Sequence, residues 1–330
     1  MSFKICMIGC GGFARQCHGP AQRHYAATRT DVQLAGCCDV DEDRARDFSG
    51  TFGFGHHYTD VRGMLDSEEP DAVVVAVPPR ATCHAAMLVL QRGFTVLLEK
   101  PPGLSPSELE QMLGAAMEGG AQAQVAFNRR YMPVMLRAKA ILDGQFQPGS
   151  IGRIDYEMIR FDRWDADFST TAIHALDAVL FLSGSPFVSA EVHVQFQRRQ
   201  DREAASFVVE AECASGTKVL LNIQPVSGRN AESATIHSVG QSLEVRIPVS
   251  PESSEGGSLR HWRGDRLAAF HSDSQGDAVD WLGVSGETEA FLDAARSGAT
   301  LTPGLQDCRQ QVALMEAMRL RRSGLIHFPS

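Results

Sequence analysis

A glycine-rich run, Gly9-Cys10-Gly11-Gly12-Phe13-Ala14, follows a short apolar segment and opens a helical pattern. That order of residues can hold a pyrophosphate. Gly9 permits a tight turn, Gly11 lets backbone approach the phosphates, and the small Ala14 leaves room for close helix-to-sheet packing. Gly12 and Phe13 complete the loop, whose exposed N–H groups and helix dipole favour negative charge. Glycine turns are common, so the reading rests on context. Asp39 ends the next apolar segment, where a carboxylate accepts the hydroxyls of an adenosine ribose. A carboxylate there repels a 2′-phosphate and favours NAD over NADP. The competing role for Asp39 is to cap the helix that follows. Arg44, the nearest cation after it, is expected a turn into that helix.

The elements that must carry these residues alternate. Apolar segments 4–8, 32–39, 71–77, 94–98 and 122–127 are expected strands, and 41–48, 60–65, 81–91 and 107–117 are expected helices. Residues 72–77 are apolar throughout, which suits a strand covered on both faces, and Pro78-Pro79 ends it. Alternation of this kind implies an α/β doubly wound parallel sheet, with its ligand at the carboxyl ends of the strands. From residue 152 the pattern changes. Segments 153–161, 190–197, 206–212, 218–224 and 233–236 read as strands, several with period-two alternation, broken at Ser215-Gly216 and Ser227-Gly228. Few helices intervene, so an α+β domain with a large, mainly antiparallel open sheet is expected. Residues 251–257 read as a polar surface loop, and 287–297 and 307–322 as terminal helices. The division expected is 1–127 and 128–330, with the last helices free to pack back on the first domain.

Composition narrows the class. A chain of 330 residues accommodates about two domains. Its net charge is −9, and it has no basic block that would track nucleic acid. No apolar stretch approaches a membrane span, and the N-terminus reads as a strand rather than a leader, so a cytoplasmic location is expected. None of the eight cysteines forms a C-x-x-C pair, and His56-His57 has no cysteine partner at zinc-finger spacing. Reduced, mostly buried thiols and no metal are expected.

With Glu99-Lys100-Pro101 closing the fifth strand, the chain resembles the glucose–fructose oxidoreductase / inositol dehydrogenase / MocA (Gfo/Idh/MocA) family. The matching residues are Gly9 to Ala14, Cys38-Asp39-Val40-Asp41, Val77-Pro78-Pro79 with His84, Glu99-Lys100-Pro101, Asn128-Arg129-Arg130-Tyr131 and His174-x-x-Asp177 followed by Leu182-x-Gly184. They run in family order over nearly the whole chain. The resemblance implies hydride transfer between NAD or NADP and a sugar, cyclitol or similar polyol. It adds Pro78, His84, Glu99, Lys100 and Asn128 to the cofactor-binding set. It places Lys100 beside the nicotinamide and His174, on the first helix of the second domain, as acid/base. It also implies a homodimer or homotetramer made through the large sheet.

The chemistry suits these two residues. A carbinol giving up hydride needs a base for its proton and a cation for the developing alkoxide. Histidine titrates near neutrality and lysine carries the charge. The plainer roles are a solvated strand-end lysine and a helix histidine satisfied by Asp177.

One position departs from the pattern. Relatives of the sugar and cyclitol type carry Asp four residues before the histidine, and here Thr170 stands there. Threonine hydrogen-bonds a hydroxyl but does not take its proton near neutral pH. Either Lys100 and His174 suffice, or Asp165 or Asp167 supplies a carboxylate, or the activity is lost. Thr170, His174 and Asp177 are expected on one polar stripe, with Ile173, Leu176 and Leu180 facing the core. Arg130, Trp164, Thr170 and His174, with Lys100, are the candidate substrate contacts. Arg129, Arg130, Arg160 and Arg163 are of the type that grips a carboxylate or phosphate, although surface salt bridging is the plainer expectation for most. Two other functions remain compatible: transient oxidation by bound NAD within a non-redox reaction, and cofactor sensing without turnover.

Overall fold

The structure is a computed structural model, describing residues 2–249, 256–273 and 277–329. The chain divides into two compact units. One comprises Met1–Asn128 with Val284–Val312, and the other Arg129–Gly283 with Ala313–Ser330.

The first unit is built on six parallel strands: β1 Phe3–Ile8, β2 Val32–Cys38, β3 His56–Tyr58, β4 Ala72–Val75, β5 Thr95–Glu99 and β6 Ala123–Ala126. Their order, β3-β2-β1-β4-β5-β6, is that of a Rossmann sheet. All four β4 side chains are buried, as a strand covered on both faces requires. It stops two residues earlier than its apolar run, because the chain is already crossing to the helix Pro79–Leu90. The three-residue β3 was not among the expected strands; its residues are polar or half-exposed and lack an apolar run. Helix starts follow side-chain chemistry. Asp41, Asp60 and Ser105 accept the N–H of Arg44, Gly63 and Glu108, opening Glu42–Phe52, Val61–Glu68 and Pro106–Gly119. The helix Val284–Ser297 also belongs to this unit. The expected helix 307–322 is a tight turn, Leu305–Cys308, followed by Arg309–Arg319.

The second unit carries nine strands: β7 Ile151–Phe161, β8 Phe187–Arg199, β9 Arg202–Cys213, β10 Lys218–Ser227, β11 Ala231–Ser238, β12 Gln241–Arg246, β13 Ser258–Arg263, β14 Arg266–Ser272 and β15 Gly324–His327. Their order is β14-β13-β12-β11-β7-β10-β9-β8-β15, with β7 and β10 parallel and the other neighbours antiparallel. Four strands, β12 to β15, were not expected: β12 and β13 mix charged residues into their alternation, and β15 is only four residues long. Residues 251–255 of the expected surface loop lie outside the described residues.

Two expectations about helices are corrected. An unexpected helix, Pro133–Gln145, precedes the one bearing His174, so that histidine is not on the first helix of its unit. In the helix Ser169–Ser183 the expected division into a polar and a core stripe also fails: His174, 6% exposed, and Asp177, fully buried, are as covered as Ile173 and Leu176, while Leu180 is half-buried. Residues 172–179 are all buried, and Thr170 and Thr171 before them are half-buried.

Candidate functional site

In the first unit the glycine loop joins β1 to a helix that begins with a wide π-helical turn, Ala14–His18, and continues as Gly19–Ala27. Gly9 has φ +93°, and a side chain on it would lie 2.2 Å from the carbonyl oxygen of Ala76. Only glycine fits. At Gly11 and Gly12 an added Cβ meets no atom within 4 Å, so open space lies against the backbone where phosphates must approach. Ala14 is buried against the sheet and Phe13 is exposed. The loop therefore fits a dinucleotide.

Asp39, just past β2, does not cap the following helix; Asp41 does. Asp39 instead ties the loop to the strand end. Its Oδ2 accepts the Cys10 N–H at 2.9 Å and its Oδ1 accepts the Asp41 N–H at 3.0 Å. The half-exposed guanidinium of Arg44 reaches the same Oδ1 at 3.1 Å, closer to the carboxylate than its place in the helix suggested.

At the end of β5, Glu99 makes two contacts of its own. Its Oε2 accepts the Lys100 N–H at 3.1 Å, and its Oε1 lies 2.8 Å from Nε2 of His18, which is fully buried. A carboxylate only accepts, so His18 donates. His18 escaped the sequence reading because its partner is 81 residues away. Lys100 is half-buried, and Pro78 and His84 are exposed at the start of the helix Pro79–Leu90. Asn128 begins a short turn, Asn128–Tyr131, after β6. These positions occupy carboxyl ends of adjacent parallel strands or the segments just beyond.

In the second unit Arg130 is committed within the protein. It donates to both carboxylate oxygens of Asp177, at 2.8 and 2.6 Å. Asp177 therefore serves the arginine with both oxygens. Thr170 Oγ1 donates to the Asp167 carbonyl at 3.4 Å. The Asp167 carboxylate accepts the Ser169 N–H at 3.1 Å and organises the helix start. Asp165 pairs with Arg163 at 2.5 Å, and Trp164 Nε1 donates to Asp162 at 2.6 Å.

The remaining two arginines enter a buried network rather than the surface bridges expected. Glu232 accepts from Arg129 at 2.5 and 2.9 Å, and also from Arg160 and the Tyr156 hydroxyl. Burial pushes its carboxyl up, but the charges of Arg129 and Arg160 outweigh that and hold it at about 2. Burial, then Glu232, raises the Tyr156 phenol well above its ordinary value, so it stays a donor. Glu232 lies in the modest alternation of β11, and nothing local marks it.

All eight thiols are free, and seven are buried. Among the described residues, no three His, Cys, Asp or Glu side chains group as metal ligands would, and no helix is long and apolar enough to cross a membrane.

Residues 3–127 match the family model described as an oxidoreductase family with an NAD-binding Rossmann fold. The chain is similar to a D-glucoside 3-dehydrogenase of Escherichia coli strain K12, 26% identical over 59% of this chain. That alignment covers 58% of the relative, so the chain spans little more than half its length. An inositol 2-dehydrogenase of Ralstonia nicotianae is 25% identical across 99% of this chain and 96% of its own. A levoglucosan dehydrogenase solved with NADH and levoglucosan superposes with a TM-score of 0.82 over 100% of both chains, at 17% identity. At that identity the likeness is one of fold.

Proposed function

We propose, from the membership of residues 3–127 in the Gfo/Idh/MocA oxidoreductase family, that the chain transfers hydride between NAD(P) and a sugar-like polyol or its keto form. The observation that carries this reading is a shared edge. The glycine loop, Asp39 and Glu99-Lys100 all lie at carboxyl ends of one parallel sheet, where such sheets bind dinucleotides. The relatives named above act on sugars and cyclitols, which supports a polyol substrate.

Bound there, the nicotinamide supplies or accepts the hydride. The N–H groups of residues 11–14 hold the pyrophosphate, with Gly9 making the turn and Asp39 accepting from the ribose. Pro78, His84 and Asn128 complete the cofactor contacts. Lys100, fixed through its own N–H by Glu99, stabilises the developing alkoxide, and His174 takes or returns its proton. Thr170 and Trp164 contribute hydrogen bonds to the substrate. Arg130 acts indirectly, by holding Asp177 one turn from His174. NAD is favoured because Asp39 repels a 2′-phosphate, and Arg44 beside it narrows that preference.

Assembly belongs to the same reading. The outward residues of β7 include Ile159 and Phe161, the latter 58% exposed, and a second copy covering this face gives a homodimer or homotetramer. Light scattering should then exclude a monomer at micromolar concentration.

The central test is a panel of polyols, sugars and sugar acids read by NADH formation. On the substrate found, Lys100→Met and His174→Asn should each lower turnover roughly 10²-fold. Cofactor binding should survive His174→Asn, since that residue belongs to the other unit. Near wild-type turnover in His174→Asn removes it as acid/base. Product without net NADH points to transient oxidation, and cofactor binding without product to a sensor.

A further inference from the structure

The helix Pro133–Gln145 and strands β13 and β14 line an open pocket of about 490 Å³, which the proposed reaction does not use. Arg137 comes from the helix, His261 and Arg263 from alternate positions on β13, and His271 from β14. Its other walls are alanines, Ile141 and the neutral Gln145, and no carboxylate lines it.

Among the described residues no carboxylate compensates this charge, and the sequence of the three elements shows why. Across these three elements the single acidic residue is Asp143. It sits 2.6 Å from Lys139, and both line a different cavity. Among the described residues, no carboxylate lies within ion-pair distance of Arg137, Arg263 or His271. Arg263 is positioned by neutral oxygens instead: its Nε donates to Gln241 Oε1 at 3.1 Å and its Nη2 to Gln145 Oε1 at 2.6 Å. His261, 2% exposed, donates from Nε2 to the same Gln241 oxygen at 3.0 Å and stacks on Phe146. Amide oxygens orient these donors without cancelling charge. That differs from Arg129, Arg130 and Arg160 of the same unit, each spent on a carboxylate.

We propose that this pocket binds a small phosphorylated metabolite, its phosphate held by Arg137 and Arg263 with His271 as a further donor. Two permanent guanidinium charges match a phosphate dianion, and Arg presents a planar fork suited to its oxygens. The volume lies within the range of small-molecule pockets, so a sugar-sized body fits beside the phosphate. The site is independent of the hydride-transfer reading.

Calorimetric titration of the full chain with inorganic phosphate, glucose 6-phosphate and glucose tests it. Glucose 6-phosphate should bind in the sub-millimolar range and more tightly than glucose. The double variant Arg137→Gln/Arg263→Gln should weaken that binding at least about tenfold, the scale of lost charged hydrogen bonds. Ala268→Glu, at an exposed position of the rim, keeps both arginines and should also weaken it. Hydrogen exchange should show protection by glucose 6-phosphate in Pro133–Gln145 and β13, in the wild type alone. Absence of binding at millimolar glucose 6-phosphate would overturn the proposal. So would equal affinity in both variants, or protection at the glycine loop instead, which would assign the phosphate to the dinucleotide site.

Discussion

Asp39 and Glu232 are both carboxylates held away from water, one in each unit, and they are held in opposite ways. Asp39 is satisfied mainly by backbone, through the N–H groups of Cys10 and Asp41, with Arg44 reaching in from a half-exposed position. Glu232 is satisfied by side chains alone, two guanidiniums and a phenol, all buried. Backbone donors carry no net charge and come with the strand ends, so the Asp39 arrangement tolerates an incoming polar ligand. The Glu232 arrangement depends on charge balance. Two positive groups face one negative one, and removing the negative group leaves the other two with no solvent to screen them. One region is built for exchange of partners, the other for permanence.

The strongest way to break this comparison is Glu232→Gln. It strands Arg129 and Arg160 together in the interior, and the expected loss is about 3–5 kcal/mol. Arg129→Met leaves a balanced pair, Arg160 with Glu232, and should cost less. Urea denaturation of both variants decides: equal losses, or a loss under about 1 kcal/mol for Glu232→Gln, would mean the balance of charge is not what matters. The same carboxyl sets a pH dependence. Its folded pKa, about 2, lies below the ordinary glutamate value of 4.5, so its stabilisation is complete above that value. It should be lost progressively as pH falls from 4.5 toward 2, and Glu232→Gln should flatten that part of the stability profile.

A smaller effect sharpens the other side. Asp39→Asn keeps one oxygen acceptor but loses the ion pair and a backbone bond, about 1–2 kcal/mol of stability. Its larger signature should be functional, a narrowed preference for NAD over NADP in titrations of both cofactors. A wild type that prefers NADP would refute the role assigned to the carboxylate.

The smallest effect concerns Thr170. Its bond to the Asp167 carbonyl is long, so Thr170→Ala should cost no more than about 1 kcal/mol and lower turnover no more than about fivefold. Asp167→Asn, which disturbs the start of the His174 helix, should be the more damaging of the two. The reverse order would give Thr170 a direct part in the reaction.

How much of this was legible follows the same division. Residues 9–14 and Asp39 could be read from sequence because a parallel sheet presents its ligand where strands end, and strand ends are marked locally by glycine, proline and acidic residues, whereas Glu99-Lys100 came from the family resemblance. The strands β1, β2, β4, β5 and β6 announced themselves as apolar runs for the same reason. What the sequence could not indicate was pairing across distance. Glu232 meets Arg129 across 103 residues and His18 meets Glu99 across 81, and neither has a local signature. The His174 helix was expected to set a polar stripe apart from a core stripe, yet His174 and Asp177 are buried with the apolar residues, because Asp177 finds its arginine partner only after the chain has folded. Strands β12 and β13 were hidden by charged residues and β15 by its four-residue length, and the place of β12 to β15 in the sheet came from neighbours able to pair with them. Local chemistry therefore marked the strand ends at which dinucleotide binding is proposed. Only tertiary packing decided which arginines are spent on carboxylates and which, like Arg137 and Arg263, meet none among the described residues, since an ion pair is a relation between two segments and neither contains it alone.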